Sequence, residues 1–150
     1  MLNALKDNGI NAEEASAPLV ADYDRATVMD LINPLIDTAE YDCIIANNDA
    51  MALGAIEALN QAGKNPADTP VVGIDATVDG CAAVQDGTLA MTVFQDGKGQ
   101  GYGALMAAYN LVVGNELSSD TGYETDETGY IMWVPFEPVT AENVEDYINR

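Results

Sequence analysis

The sequence predicts an α/β protein, a parallel sheet flanked by helices. Short apolar runs alternate with amphipathic stretches through the first two-thirds of the chain, the order that builds parallel strands with right-handed crossovers. Three of those runs end abruptly on polar side chains: Ile44-Ile45-Ala46 on Asn47-Asn48-Asp49, Val71-Val72-Gly73-Ile74 on Asp75, and residues 89–94 on Gln95-Asp96. After the first of them a helix-forming stretch starts at once, at Ala50-Met51-Ala52-Leu53-Gly54-Ala55. Strands that deliver polar groups to helix N-termini do so at the edge where open α/β sheets bind small molecules. A carboxylate or amide at each of three strand ends suits a pocket for a neutral, hydroxyl-rich ligand.

In chain order, residues 2–8 are expected as a helix stopped by Gly9 in a left-handed cap. Residues 16–20 are a short strand candidate. Residues 24–38 form a helix with Val28, Leu31 and Leu35 on one face, and Pro34 is expected to kink or break it. A strand at 41–46 leads to a helix at 49–62, with Leu53, Ile56 and Leu59 on one side and Gly63 as the stop. Pro70 opens a strand at 71–74. A helix at 78–85 stops at Gly87, a strand covers 90–94, and a helix at 100–113 ends at Gly114-Asn115. The pattern then changes: residues 118–129 are polar and rich in Gly, Asp and Thr. A strand at 130–135 and a last helix at 141–147, with Thr140 as N-cap, complete the chain. The sequence contains neither an internal repeat nor a low-complexity tract.

With 150 residues, 48% of them hydrophobic, the chain is long enough to bury a core as one compact unit. Its charge is unusual: 25 acids against 5 bases give −20. Such a surface repels phosphates, which argues against nucleic acid and against anionic membranes as direct partners. It suits the soluble surface of a secreted or cell-surface protein. No apolar run approaches the roughly 20 residues that span a bilayer, and the opening residues do not read as a secretory signal. Met1-Leu2-Asn3-Ala4-Leu5-Lys6 reads as the middle of an amphipathic helix, so the chain is expected to be a piece of something longer. Cys43 and Cys81 are expected as buried small hydrophobes, and Met51, Met91 and Met106 as core residues. There is no histidine, the commonest general base and transition-metal ligand. No phosphate-binding loop, cysteine cluster or serine nucleophile motif is present. No enzyme activity, cofactor or metal is expected.

At Ala46-Asn47-Asn48-Asp49-Ala50-Met51-Ala52-Leu53-Gly54 the chain resembles the sugar-binding proteins of bacterial ABC importers, most of all the galactose/glucose (methyl-galactoside) type. Further support comes from Pro70-Val71-Val72-Gly73-Ile74-Asp75-Ala76, Leu89-Ala90-Met91-Thr92-Val93, Val134-Pro135 and Val139-Thr140-Ala141-Glu142-Asn143-Val144. The order and spacing of these motifs cover nearly the whole chain. The resemblance implies a type I periplasmic binding protein fold, two α/β lobes joined by three crossing segments with sugar in the cleft. The chain resembles the C-terminal half. Residues 1–95 would form the C-terminal lobe without its first strand, 96–132 would pack on the missing N-terminal lobe, and 133–150 would return. The stretches near 95–97 and 134–136 resemble two of the crossings. In isolation the helix between them is expected to expose Leu105, Met106, Tyr109 and Val112 and to self-associate, with swapping as one route.

The same resemblance suggests the ligand-binding residues. Asn48 is similar to an amide that donates to and accepts from ring hydroxyls, and Asp75 to the carboxylate acceptor after the next strand. Gln95 falls where the galactose/glucose type has asparagine, and Tyr23 where it has a tryptophan stacked on the sugar. Each has a plainer alternative: a helix cap for Asn48 (with Asp49 as the cap if Asn48 binds ligand), a surface turn for Asp75, hinge polarity for Gln95, an exposed loop for Tyr23. Asp49 is read as structural, supporting the turn and the helix start, and Asp24-Arg25 as a surface pair. Asp42 falls at a calcium-binding glutamate of that type, but one carboxylate cannot hold a cation that wants roughly 6–8 oxygens. The expected partners are a monosaccharide, the missing lobe and the membrane permease of an ABC importer, at a periplasmic or cell-surface location. Two other readings stand beside this one. One is the effector-binding core of a lac-repressor-type regulator, which shares the fold and a similar Asn-Asp-x-Met-Ala-x-Gly motif. The other is a glycosidase using Asp49 and Asp75.

Overall fold

The computed structural model describes residues 2–148, and the expectation for Met1 lies outside them. The elements in chain order are α1 Leu2–Asp7, α2 Arg25–Ile36, β1 Ile44–Ile45, α3 Asp49–Gln61, β2 Val71–Val72, α4 Val78–Gln85, β3 Thr92–Gln95, α5 Gly97–Val113, β4 Glu124–Thr125, β5 Met132–Trp133 and β6 Phe136–Val139.

Helices α2 to α5 each start on a side chain able to satisfy an orphan amide. Asp24 Oδ1 accepts from the Thr27 amide at 2.7 Å, Asn48 Oδ1 from Met51 at 2.9 Å, Thr77 Oγ1 from Gly80 at 3.0 Å and Asp96 Oδ1 from Gly99 at 2.9 Å. Asp96 thereby starts α5 three residues earlier than the apolar pattern suggested. Asp24 and Arg25 both lie on the surface as expected, Asp24 engaged as a cap and Arg25 paired with Glu57 at 3.0 Å. Pro34 falls in the last turn of α2, where it forfeits one i→i−4 bond, and the helix ends two residues later at Ile36 instead of breaking earlier.

β1 and β2 pair in parallel, Ile44 with Val71 and Ile45 with Val72. Parallel bridges Val72–Met91 and Asp75–Phe94 join β2 to β3. β6 runs antiparallel to β3, from Thr92–Val139 to Gln95–Phe136. The spatial order is therefore β1-β2-β3-β6, a parallel sheet with one reversed edge strand that the sequence reading missed. α3 lays Ala52, Ala55, Ile56 and Leu59 on the core, with Ile36, Val71, Val84, Leu89, Val139 and Val144 around it. Gly54 lets α2 approach: a Cβ there would overlap the Arg25 carbonyl and meet Val28 Cβ at 3.3 Å.

Several expectations fail for physical reasons. Residues 16–20 form no strand; they are exposed and have no neighbouring strand to satisfy a ladder. Residues 141–147 form only a 3₁₀ turn, Val144–Asp146. There Asn143 Oδ1 accepts from the Thr140 amide at 2.8 Å and its Nδ2 donates to the Pro138 carbonyl at 3.0 Å, a local ring that competes with a helix start. Cys81 is buried but Cys43 is exposed, because it precedes β1 on the outer edge of the sheet.

α5 is supported on one side by its own chain. Gly103 lies against Met132 and Tyr123, and buried Asn110 donates to the carbonyls of Leu117 and Ser119 at 3.2 and 2.8 Å. Its other side is bare: Leu105, Tyr109 and Val112 are exposed, Val112 by 86%, while Met106 is half-buried.

Candidate ligand-binding edge

Parallel strands end on the same edge of a sheet, and β1, β2 and β3 are neighbours. Asn48 follows β1, Asp75 follows β2, and Gln95 is the last residue of β3. The main chain ties these ends together: the Asp49 amide donates to the Ile74 carbonyl at 2.8 Å, and the Asp75 amide to the Val93 carbonyl at 2.8 Å. The topology thus brings three of the four residues singled out from the sequence to one edge.

Their environments differ. Asn48 is half-buried and serves as the N-cap of α3 through Oδ1, so it, and not Asp49, is the cap. That leaves the amide Nδ2 end of the side chain outside the cap. Asp75 is half-buried with φ 121°, followed by Ala76 at φ 52°, a left-handed pair that non-glycine residues rarely adopt. Burial pushes the Asp75 carboxyl above the ordinary carboxylate range, and the nearby Asp49 charge pushes it further. Gln95 is exposed and its Nε2 donates to Gln100 Oε1 at 3.2 Å. It is cross-strand partner to Phe136, which places the two crossing-like stretches side by side. Tyr23 is 73% exposed with φ 63°, immediately before the Asp24 cap. A shallow groove lined by Arg25, Ala50, Leu53, Thr77, Val78 and Asp79 joins the starts of α2, α3 and α4, so the chain that carries Tyr23 enters beside this edge.

The residue beneath the edge is Asp49. It is 0% exposed, and its carboxylate accepts from Thr92 Oγ1 at 2.6 Å, Thr77 N at 2.8 Å and Thr77 Oγ1 at 3.0 Å. The sequence assigned it a structural part but not its partners. One signal was present: Thr92 is a hydroxyl inside an apolar run, and a buried hydroxyl needs a partner. With its oxygens engaged by threonines, Asp49 is not disposed as a glycosidase carboxylate facing substrate.

An α/β sheet with polar side chains gathered at the ends of parallel strands defines a small-molecule-binding fold. The chain belongs to the periplasmic binding protein family: the model of the periplasmic binding protein domain matches residues 1–116. It is 39% identical over 128 residues to a putative rhizopine-binding protein of Rhizobium meliloti, covering 85% of this chain and 38% of that protein. It is 30% identical over 129 residues to the D-galactose/methyl-galactoside binding periplasmic protein MglB of Haemophilus influenzae, covering 84% and 38%. Among solved structures, an ABC transporter solute binding protein from Bacillus halodurans with bound myo-inositol aligns at a TM-score of 0.66 and 38% identity, over 86% of this chain and 41% of that one. The fold is the type I periplasmic binding protein fold, and the relatives are named for binding, not catalysis. The chain spans about two-fifths of their length. The likeness is not particular to the galactose/glucose type, since relatives named for rhizopine and myo-inositol match at higher identity. Among the described residues no helix is long and apolar enough to cross a membrane.

Proposed function

We propose that this chain supplies the C-terminal lobe of a two-lobed receptor that closes on a neutral, hydroxyl-rich ring and serves an ABC importer. The reading rests on one observation, the gathering of Asn48, Asp75 and Gln95 at adjacent strand ends. The ligand is a monosaccharide or an inositol-like polyol. In this scheme Asn48 Nδ2 donates to a ring hydroxyl while Oδ1 holds the helix. Asp75 accepts from one or two hydroxyls, Gln95 reaches in from the hinge side, and Tyr23 lies on an apolar C–H face of the ring. Polar groups left unpaired by the wrong epimer provide the selectivity. Ligand bridging both lobes shifts a hinge equilibrium toward closure, and the closed form docks on the permease.

The division of labour follows the resemblance. Residues 1–95 and 133–150 belong to this lobe, and 96–132 pack on the other lobe, which covers the exposed face of α5. The location is periplasmic or extracellular at the cell surface, and the charge of −20 disfavours nucleic acid. Because half of the contacts come from the second lobe, this chain alone binds ligand weakly.

Thermal-shift screening of the two-lobed protein against pentoses, hexoses and myo-inositol tests the reading. A ligand at a thousand times its Kd stabilises the native state by about 4.1 kcal/mol, a readily measured rise in Tm. One ring polyol is expected to give that rise, and Asn48→Ala or Asp75→Ala to abolish it. No rise with any member of the panel would refute the assignment.

A further inference from the structure

We propose that Asp49, acting through Thr77 and Thr92, is the positioning residue that fixes the left-handed Asp75–Ala76 turn and so aims the Asp75 carboxylate at the ligand edge. The inference rests on the reading of Asp75 as a ligand-binding group, and extends it to a residue that never meets ligand. Three consecutive amides leave the end of β2, and each has a different anchor. Asp75 N–H donates to the Val93 carbonyl at 2.8 Å, Ala76 N–H to Thr92 Oγ1 at 3.2 Å, and Thr77 N–H to Asp49 Oδ2 at 2.8 Å.

The proton wiring leaves no slack. A threonine hydroxyl has one proton to give. Thr92 Oγ1 accepts from Ala76, and its own proton goes to Asp49 Oδ1 at 2.6 Å. Thr77 Oγ1 accepts from Gly80 as the cap of α4, and its proton goes to Asp49 Oδ2 at 3.0 Å. Both hydroxyls and one amide therefore converge on a single carboxylate. Asp49 is itself held fast. It is fully buried, its amide is bonded to Ile74, and its carboxylate lies against Gly73 and Gly80, at either of which a Cβ would overlap it. A non-glycine at φ 121° followed by one at φ 52° persists only where its surroundings over-determine it, and this network does so. Relaxation to negative φ would swing the Asp75 Cβ, and the carboxylate with it, off its present direction.

A merely structural role would let the turn survive any variant that still folds. The test is solution NMR on this chain, reading the three-bond HN–Hα couplings and carbon shifts of Asp75 and Ala76. Thr92→Val removes the hydroxyl at nearly constant shape, Thr92→Ser keeps it, and Asp49→Asn keeps the volume. Thr92→Val and Asp49→Asn are expected to lose the positive-φ signature at residues 75 and 76 while α2 and α3 stay folded, and Thr92→Ser to restore it. A wild-type turn in folded Thr92→Val and Asp49→Asn overturns the proposal. Should those variants fail to fold, hydrogen exchange on the wild type decides: amides of Ala76 and Thr77 protected at least 100-fold over the unfolded chain support the clamp, and unprotected ones overturn it. The panel of pentoses, hexoses and myo-inositol, added in turn to the wild-type two-lobed protein, reads the ligand assignment separately. No shift at Asp75 counts against the receptor reading and leaves the turn mechanism to the variant data.

Discussion

Asn48 has two ends, an Oδ1 that caps α3 and an Nδ2 that we propose meets ligand, and substitution separates them. Asn48→Ala removes the cap bond to Met51 and is expected to cost about 1 kcal/mol of stability as well as ligand affinity. Asn48→Asp keeps an acceptor for the cap and loses the Nδ2 donor, so its urea midpoint should stay near wild type while sugar binding falls. Unchanged sugar binding in Asn48→Asp would make Asn48 a cap and nothing more. Asp75 carries a pH signature. Its folded-state pKa is raised, by burial first and by Asp49 second, so the folded protein holds this proton more tightly than the unfolded chain does. The resulting stability is fully present below the unfolded value of about 3.9 and is lost as pH rises through the folded value. Asp75→Asn escapes that loss, so its stability relative to wild type is expected to grow with pH across that window. A pH-independent difference in urea midpoints would contradict this. The placement of Asn48 and Asp75 at strand ends was legible in the sequence because polar residues after an apolar run mark the point where a strand leaves the core. The part played by Asp49 was only half legible, since its partners Thr77 and Thr92 lie 28 and 43 residues away.

Helices were easier to read than strands. The 78–85 helix was foreseen to the residue, with Gly87 as its local stop signal. β4 and β6 were not foreseen, since Glu124–Thr125 and Phe136–Val139 carry no continuous apolar run and become strands only through their partners β5 and β3. Glycines show how packing overrides local preference. Gly54→Ala would drive a methyl into the Arg25 carbonyl, and is expected to cost about 1–3 kcal/mol by urea denaturation. Gly101, in the same kind of helical setting, meets nothing, so Gly101→Ala is expected to stabilise α5 by about 0.5–1 kcal/mol. Reversal of those two signs would mean that the α2–α3 approach is looser than described.

At the scale of the whole molecule the dominant feature is an apolar surface without a cover. Leu105, Tyr109 and Val112 on α5, together with Tyr130, Trp133 and Phe136, are exposed. Light scattering of this chain at high concentration is expected to show association, increased by salt that screens its charge of −20 and reduced by Leu105→Glu or Tyr109→Glu. A monodisperse monomer under all of these conditions would argue against this face as a contact surface.

By itself the sequence determined the α/β class, the positions of the main helices and the residues that end the strands. Those properties follow from periodicity and from caps within a few residues of each other. Only the tertiary structure decided that β6 closes the sheet in reverse, that Cys43 stays outside, and that a buried Asp49 accepts from Thr77 and Thr92 beneath the Asp75 turn. These depend on contacts between segments far apart in the chain, where burial and the need to satisfy every buried polar group select one arrangement, and neither leaves a local pattern to read.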